Sequence, residues 1–157
     1  MTLSAGIHHI AIITADMDKL VSFYVSIFEA KVIFDMVEPN PKGGDFGHAM
    51  VDLGGGMSLH PFELSKDSEF TRGMPEIAKR GHIDHLAIRV SDEKTFQDLR
   101  RRLVTSKACD GTETDYGSMK LVAFNDPDGM ESEIAIWKGD GDILPFAERI
   151  RKPFRSD

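Results

Sequence analysis

Four side chains of metal-ligand type occupy matching places in two halves of the sequence. The segment IHHIAI recurs later in the chain as IDHLAI, and this match aligns His9 with His85. Further along each half, GMSLH aligns with GMESE, which pairs His60 with Glu133. Two matches in the same order at nearly the same offset indicate an internal repeat.

Three imidazoles and one carboxylate form a set of donors that suits Zn²⁺, Ni²⁺, Co²⁺, Fe²⁺ or Mn²⁺. If a pseudo-twofold axis relates the halves, the four side chains converge and leave coordination positions for water or substrate. The single cysteine, Cys109, excludes internal disulfides, Cys-rich zinc sites and iron–sulfur clusters held by this chain alone. Taken one at a time, each strand histidine has a second interpretation, as a hydrogen-bonded core residue.

Strands must position these side chains, and a strand places alternate residues on one face. His9 then shares a face with Ala11, and His85 shares one with Ala87 and Arg89. Small residues beside the ligands would leave room above a metal ion, and Arg89 is a candidate for binding an anionic substrate. The remaining histidines are assigned differently: His8 would point away from His9, while the absence of a ligand-type repeat partner favours surface or loop roles for His48 and His82.

Apolar periodicity predicts a helix over 17–29 with Asp16 as its N-cap. In the second half Ser91 is the predicted cap, Phe96, Leu99 and Leu103 form the buried stripe, and Arg100, Arg101 and Arg102 lie mostly on the solvent side. β-Branched and alternating segments predict strands at 7–13, 31–38, 46–53, 57–63, 83–90, 107–114, 117–124 and 131–137. Turns are predicted at Gly43-Gly44, Gly54–Gly56 and Asp126–Gly129.

The predicted fold class is α+β, with two tandem βαβββ modules forming a curved mixed sheet around a metal-binding cleft. Residues 1–157 form one domain, which consists of a module at 7–63, a connector at 64–81, a module at 82–137 and a C-terminal tail at 138–157. A short terminal helix is expected within the tail, around 143–150.

Composition limits the partners. The 157 residues are 41% hydrophobic, which is enough for a core, and 19 Lys and Arg against 26 Asp and Glu give a net charge of −7. Proteins that bind nucleic acid or anionic membranes usually carry an excess of basic residues, which this acidic chain lacks. Its charge therefore favours a small-molecule substrate. The first residues lack a signal-peptide pattern and the apolar runs are too short to cross a bilayer, so a cytoplasmic protein is expected.

The motifs resemble those of the vicinal oxygen chelate superfamily, which includes glyoxalase I, methylmalonyl-CoA epimerase, fosfomycin-resistance proteins and extradiol dioxygenases. The resemblance covers residues 7–137 and rests on IHHIAI, IDHLAI, the helix segment SFYVSIF and the closing NDPDGMESEI. It implies a metal site formed by His9, His60, His85 and Glu133. The chain departs from the family at His60, where glyoxalases most often have Glu and the epimerase has Gln, so that one potential carboxylate base is missing.

The resemblance implies a metal-dependent lyase or isomerase of glyoxalase or epimerase type that acts through an enediolate-like intermediate. Glu133 is the expected catalytic base if it can leave the metal, and otherwise Glu131 or a water must take that role. The alternatives are an Fe²⁺ extradiol-type dioxygenase, a fosfomycin-type epoxide-opening or thiol-transfer enzyme, and a drug-binding module without metal. A homodimer is expected, because open sheets with free edges tend to pair in this superfamily.

Overall fold

The chain divides into two compact units, Met1–Ala78 and Lys79–Asp157. A computed structural model describes residues 7–39, 45–63, 83, 85–139, 141–145 and 148–155. Each unit contains one mixed sheet with one helix packed on it, in the order βαβββ in the first unit and βαβββ followed by one further strand in the second. The predicted α+β class with two βαβββ modules is therefore confirmed, whereas the connector at 64–81 and the Gly43-Gly44 turn lie outside the described residues.

The bounds of the elements follow the predicted segments in most places. The first unit contains β1 His9–Thr14, α1 Met17–Phe28, β2 Lys31–Pro39, β3 Asp45–Asp52 and β4 Ser58–Glu63. The second contains β5 Leu86–Arg89, α2 Glu93–Thr105, β6 Glu113–Asp115, β7 Met119–Asn125, β8 Glu131–Trp137 and β9 Ile150–Lys152. Neither described helix combines the length and the apolar character needed to cross a membrane.

Helix α1 begins and ends where its local chemistry changes. The Asp16 carboxylate accepts a hydrogen bond from the backbone N–H of Lys19 at 3.0 Å, as predicted for the N-cap. The helix ends at Phe28 because Glu29 adopts a left-handed conformation with φ 56°. Its apolar stripe is buried against the sheet and consists of Met17, Leu20, Tyr24 and Ile27.

The first sheet has the strand order β1-β4-β3-β2, with β1 parallel to β4 and the other pairs antiparallel. Ala49, Val51 and Leu59 are almost fully buried and form the core beneath α1. Alternation then places His48 and His60 on the opposite face of the sheet. The predicted turn at Gly54–Gly56 joins β3 to β4, and its three glycines have positive φ values that other residues rarely adopt.

The second sheet has the order β5-β8-β7-β6-β9, with β5 parallel to β8. The predicted N-cap of its helix is wrong, because Asp92 and not Ser91 caps α2. The Asp92 carboxylate accepts hydrogen bonds from the backbone N–H and the hydroxyl of Thr95, both at 2.8 Å. The Ser91 hydroxyl instead donates to Asp92 at 2.9 Å and so supports the cap.

Arg100 does not lie on the solvent side of α2 as predicted, because its side chain is only 9% exposed. Its guanidinium donates to the carbonyl oxygen of Gly111 at 2.6 Å and to that of Lys152 at 2.9 Å, and it pairs with Glu113 at 3.4 Å. Lys120, also buried, reaches Glu113 at 3.3 Å. Ion pairs thus occupy part of the space between α2 and its sheet.

The segment at 107–114 is predicted as a strand but pairs as one only at Glu113–Asp115. Lys107 adopts a positive φ of 63°, and the N–H of Ala108 bonds back to the carbonyl of Leu103 at 2.9 Å. The end of α2 therefore continues as a turn. Next along the chain, the backbone N–H of Thr112 donates to the Asp110 carboxylate, and strand β6 begins one residue later.

In the described part of the tail, the terminal helix predicted around 143–150 is reduced to one 3₁₀ position at Glu148, whose N–H donates to the carbonyl of Pro145 at 2.9 Å. Ile150–Lys152 forms strand β9, which pairs antiparallel with β6, and Ile143 forms an isolated bridge with Gly117. The free N–H and C=O groups along the edge of β6 explain this outcome, since an added strand satisfies them. The bond from Arg100 to the Lys152 carbonyl holds β9 in place.

Candidate functional site

Two of the predicted metal ligands come together in the first unit. Parallel pairing sets Ala11 opposite His60, so His9 and His60 lie diagonally on the face that is turned away from α1. Their ring centroids are 5.6 Å apart. Two imidazoles bound to one tetrahedral ion have centroids about 5 Å apart, given metal–nitrogen distances of about 2.1 Å. The spacing of this pair therefore fits a shared ion.

The surface or loop role predicted for His48 is wrong, because His48 lies in β3 and its side chain is largely buried. It lies opposite Phe62 on the antiparallel pair β3–β4, and its Nδ1 is 3.2 Å from Nε2 of His60. The Gly54–Gly56 turn predicts the hairpin, but only the pairing of its strands shows this contact. The repeat alone could not reveal it, since no ligand-type residue occupies the equivalent place in the second half.

Phenyl rings surround the imidazoles of this unit. Phe62 lies 4.3 Å from His60 between ring centroids, and Phe34 lies 5.9 Å from it. Phe34 and Phe46 also contact His48, at 5.1 and 5.4 Å. Burial, together with the neighbouring His48 and His9, lowers the pKa of His60 below its ordinary value of 6.5. His60 is therefore neutral at pH 7, which is the form that binds a metal ion.

The second unit brings together the other two predicted ligands. Nε2 of His85 lies 3.5 Å from Oε2 of Glu133. Two donors that bind one tetrahedral ion at about 2.1 Å are about 3.4 Å apart, so this pair also fits a shared ion. In the register of the sheet, Glu133 lies between Ala87 on β5 and Ala123 on β7. These two methyl groups leave space beside the carboxylate.

A polar turn fixes the start of the strand that carries Glu133. The buried Asp126 carboxylate accepts hydrogen bonds from the backbone N–H groups of Asp128 and Met130, each at 2.9 Å. Burial raises the pKa of Asp126 above its ordinary value. Gly129 has a φ of 85°, which explains the glycine of the predicted DPDG turn. The turn thereby sets which residues of β8 share the face of Glu133.

The remaining candidates lie around these pairs. His8 does not point away from His9 as predicted, because Nδ1 of His8 is 2.9 Å from Nδ1 of His9 and both residues are exposed. Arg89 is exposed and lies opposite Ala135, on the face of Glu133. The structure does not describe His82.

Donor chemistry and spacing fit a divalent ion within each pair, and the neutral state of His60 also fits one in the first pair. Among the described residues, however, no three His, Cys, Asp or Glu side chains form a group that could hold a metal ion. The structure thus brings together His9 with His60 and His85 with Glu133. The four-ligand set stays a prediction.

Comparisons with known proteins place the motifs in a wider group. A family model described as Glyoxalase/Bleomycin resistance protein/Dioxygenase superfamily matches residues 6–134. The comparison with curated proteins gives no significant match.

Solved structures resemble the fold over most of its length. A glyoxylase/bleomycin resistance protein/dioxygenase domain from Frankia sp. EAN1pec is 21% identical, with 87% of this chain and 100% of that chain covered and a TM-score of 0.66. Lactoylglutathione lyase from Agrobacterium tumefaciens is 17% identical, with 85% and 94% covered and a TM-score of 0.59. The fosfomycin resistance protein FosX from Listeria monocytogenes, in complex with Mn(II) and sulfate, is 18% identical, with 85% and 93% covered and a TM-score of 0.52.

Proposed function

Because the chain belongs to the Glyoxalase/Bleomycin resistance protein/Dioxygenase superfamily, we propose that it is a metal-dependent lyase or isomerase of glyoxalase or epimerase type. Its substrate is a small molecule with two neighbouring oxygens that can chelate the ion. One observation supports the proposal. In each unit two ligand-type side chains lie close together, and the positions of the first pair are equivalent in the repeat to those of the second.

His9, His60, His85 and Glu133 are the proposed ligands of a divalent ion. When bound, such an ion stabilises negative charge that develops on the two substrate oxygens. The lowered pKa of His60 supports its role, because a neutral imidazole needs no deprotonation before it coordinates. Among the similar structures, FosX in complex with Mn(II) agrees with a metal site on this fold, and the lactoylglutathione lyase agrees with lyase chemistry.

Glu133 is the proposed base. Once it has left the metal, its carboxylate removes a proton from the carbon next to the substrate carbonyl. The electron pair of that C–H bond forms a carbon–carbon double bond, and the π pair of the carbonyl moves to its oxygen. The proton then returns to the neighbouring carbon in an isomerisation, or to the same carbon in an epimerisation. The small side chains of Ala87 and Ala123 leave space for the substrate beside the carboxylate. Glu131, two residues earlier on the same face of β8, is the alternative base.

The test begins with the metal content of the purified protein, followed by removal of the metal and reconstitution with each of Zn²⁺, Ni²⁺, Co²⁺, Fe²⁺ and Mn²⁺. We expect about one equivalent of metal per chain and a loss of metal affinity in His85→Ala. Absence of metal from a protein purified under metal-replete conditions, together with unchanged stability of His85→Ala, would overturn the proposal. Bound iron with oxygen uptake on catechols would instead assign dioxygenase chemistry.

Proton abstraction is measured by NMR as deuterium exchange at the α-carbon of substrates with vicinal oxygens. Glu133→Gln is expected to abolish exchange in the metal-loaded protein, and Glu131→Gln is the matched control on the same face. Exchange that survives in Glu133→Gln but disappears in Glu131→Gln would move the base to Glu131.

We also propose that the chain forms a homodimer and takes no nucleic acid or membrane partner. Strand β2 is an edge strand and exposes Val32, Ile33 and Val37. Burial of such apolar side chains favours association. Sedimentation equilibrium distinguishes dimer from monomer.

A further inference from the structure

One imidazole in the first unit is buried beside a predicted ligand and belongs to none of the proposed ligand positions. The side chain of His48 is only 13% exposed. Its Nδ1 is 3.2 Å from Nε2 of His60, and its Nε2 is 3.5 Å from the carboxylate of Glu38 on the neighbouring strand β2. Nε2 of His48 is buried and has no hydrogen-bond partner among the described residues. A neutral imidazole carries one proton, so in its neutral form this ring has the proton on either Nδ1 or Nε2.

In the first arrangement, His48 carries its proton on Nδ1 and donates it to Nε2 of His60. The lone pair on Nε2 of His48 then faces the negative carboxylate of Glu38, which is electrostatically unfavourable. His60 would also have its own proton on Nδ1 and an engaged lone pair on Nε2. Neither nitrogen of His60 would then be available to a metal ion.

In the second arrangement, His48 carries its proton on Nε2, toward Glu38, and its Nδ1 accepts the Nε2–H of His60. The carboxylate stabilises the proton that faces it, and the contact at 3.2 Å is a hydrogen bond donated by His60. The lone pair of His60 is then on Nδ1, where the described residues provide no hydrogen-bond donor. Only this arrangement leaves His60 with a free donor atom for a metal ion.

We propose that Glu38 and His48 are positioning residues that fix the tautomer of His60 so that it offers Nδ1 to the metal ion. The inference rests on the proposed function insofar as His60 is a metal ligand. Phe34 and Phe46 contact the His48 ring, and Phe62 contacts both imidazoles. These contacts hold the two imidazole rings in the orientation that their hydrogen bond needs. Partners of this kind orient metal-binding histidines in general, and their loss typically lowers metal affinity by roughly ten- to hundred-fold.

The tautomers are read directly from long-range ¹H–¹⁵N correlation spectra of the metal-free protein labelled at its imidazole nitrogens, in mildly alkaline buffer. We expect the Nε2–H form for both His60 and His48. A His60 ring with its proton on Nδ1 overturns the inference. Because the measurement needs no metal, it stands even if the protein proves to bind none, in which case only the proposed function fails.

Metal affinity provides the second measurement, by competition of a chromogenic chelator for Zn²⁺. His48→Phe fits among the phenyl rings but removes the acceptor, and we expect Zn²⁺ affinity to fall at least ten-fold. His48→Asn keeps an oxygen acceptor near the position of Nδ1 and is expected to restore most of that loss. Equal affinities of His48→Phe and the parent protein overturn the inference.

A second variant, at a residue outside the group of phenyl and imidazole rings, keeps the inference testable if His48→Phe does not fold. Glu38→Gln removes the charge that selects the tautomer, and we expect a mixture of His60 tautomers and weaker Zn²⁺ binding. Asp35→Asn is the matched control, because it removes a carboxylate from the opposite face of the same strand and should leave both measurements unchanged. A spectrum of Glu38→Gln identical to that of the parent protein shows that the carboxylate does not select the tautomer.

Discussion

The two units share the order of their first four strands and the position of their helix, and both have an apolar core, but the second adds a cluster of buried charges beneath its helix. In the first unit Leu59 and its neighbours form an apolar core against α1. In the second, buried Arg100 and Lys120 converge on Glu113, which is 3% exposed. The second unit also buries Phe96, Leu103 and Ile134, so its charged cluster adds to an apolar core and does not replace it. Charges can be buried beside such a core where oppositely charged groups compensate each other.

The faces that carry the predicted ligands also differ. In the first unit His60 lies among phenyl rings and beside a second imidazole, whereas in the second unit Glu133 lies between alanines. Burial and the neighbouring imidazoles disfavour a protonated His60, and the alanines leave space beside Glu133. These surroundings agree with the proposed roles of His60 as a neutral ligand and Glu133 as the base.

The largest loss of stability is expected when the buried charged cluster of the second unit is disrupted. Arg100→Ala leaves the Glu113 carboxylate with less compensation and the Lys152 carbonyl without its donor, so we expect unfolding to become easier by about 3–5 kcal/mol. Arg101→Ala is the matched control, since its pair with Asp98 is exposed and contributes under about 1 kcal/mol. Urea denaturation measures both variants, and equal stabilities would show that the buried cluster is not structural.

The apolar core of the first unit is tested by Leu59→Ala. Leu59 is fully buried, and its truncation removes hydrophobic contacts and opens a cavity, which costs about 2–4 kcal/mol. The variant should retain the metal affinity of the parent protein, because Leu59 faces α1 while His60 faces away. Denaturation and zinc competition check the two expectations, and a matching loss of both would mean that core and site are coupled.

Acid should affect the two units in different pH ranges. The pKa of His60 is lowered in the folded protein. As pH falls below 6.5, the His60 imidazole is therefore protonated in the unfolded chain before it is protonated in the folded protein, and the first unit loses stability. The pKa of Asp115 is lowered by the hydrogen bond from Lys138, so its contribution is present above 3.8 and is lost only as pH falls below that value.

Thermal denaturation between pH 7.5 and 3 measures this difference. His60→Gln should flatten the stability curve around pH 6 alone, and Asp115→Asn should flatten it below pH 4 alone. A curve for His60→Gln that retains the full slope around pH 6 would contradict the assignment.

The smallest effect concerns the residue equivalent to Leu59 in the repeat. Ser132 is fully buried, and its hydroxyl has no hydrogen-bond partner in the described part of the chain. Ser132→Ala should therefore be neutral or stabilising by up to about 1 kcal/mol, because it removes an unsatisfied polar group. A loss of more than that amount in calorimetry would indicate a bond to the hydroxyl in solution.

Local signals in the sequence account for most of the elements. The periodicity of α1 and the Asp16 cap predicted that helix to within one residue at its C-terminal end, and glycines and aspartates located the described turns. The pairs His9 with His60 and His85 with Glu133 followed from strand alternation and the repeat. Each of these features depends on neighbours along the chain, so a single sequence contains the necessary information.

Non-local contacts account for the errors. Arg100 belongs to a run of three arginines that reads as a solvated face, and only the distant carbonyl of Lys152 and the carboxylate of Glu113 make its burial favourable. Ile150 is predicted to end a terminal helix, but it begins strand β9, which pairs with the free edge of β6. His48 has no repeat partner, and only strand pairing reveals its contact with His60.

The sequence by itself determined the family, the repeated βαβββ pattern and the side chains suited to hold a metal, because repeats and alternation are written in residue order. Tertiary structure alone decided which charges are buried, which strand the tail pairs with and which imidazoles are in contact. Those outcomes depend on partners far apart in the chain, and the free energy of burying a charge or a ring nitrogen is set by the groups that surround it after folding.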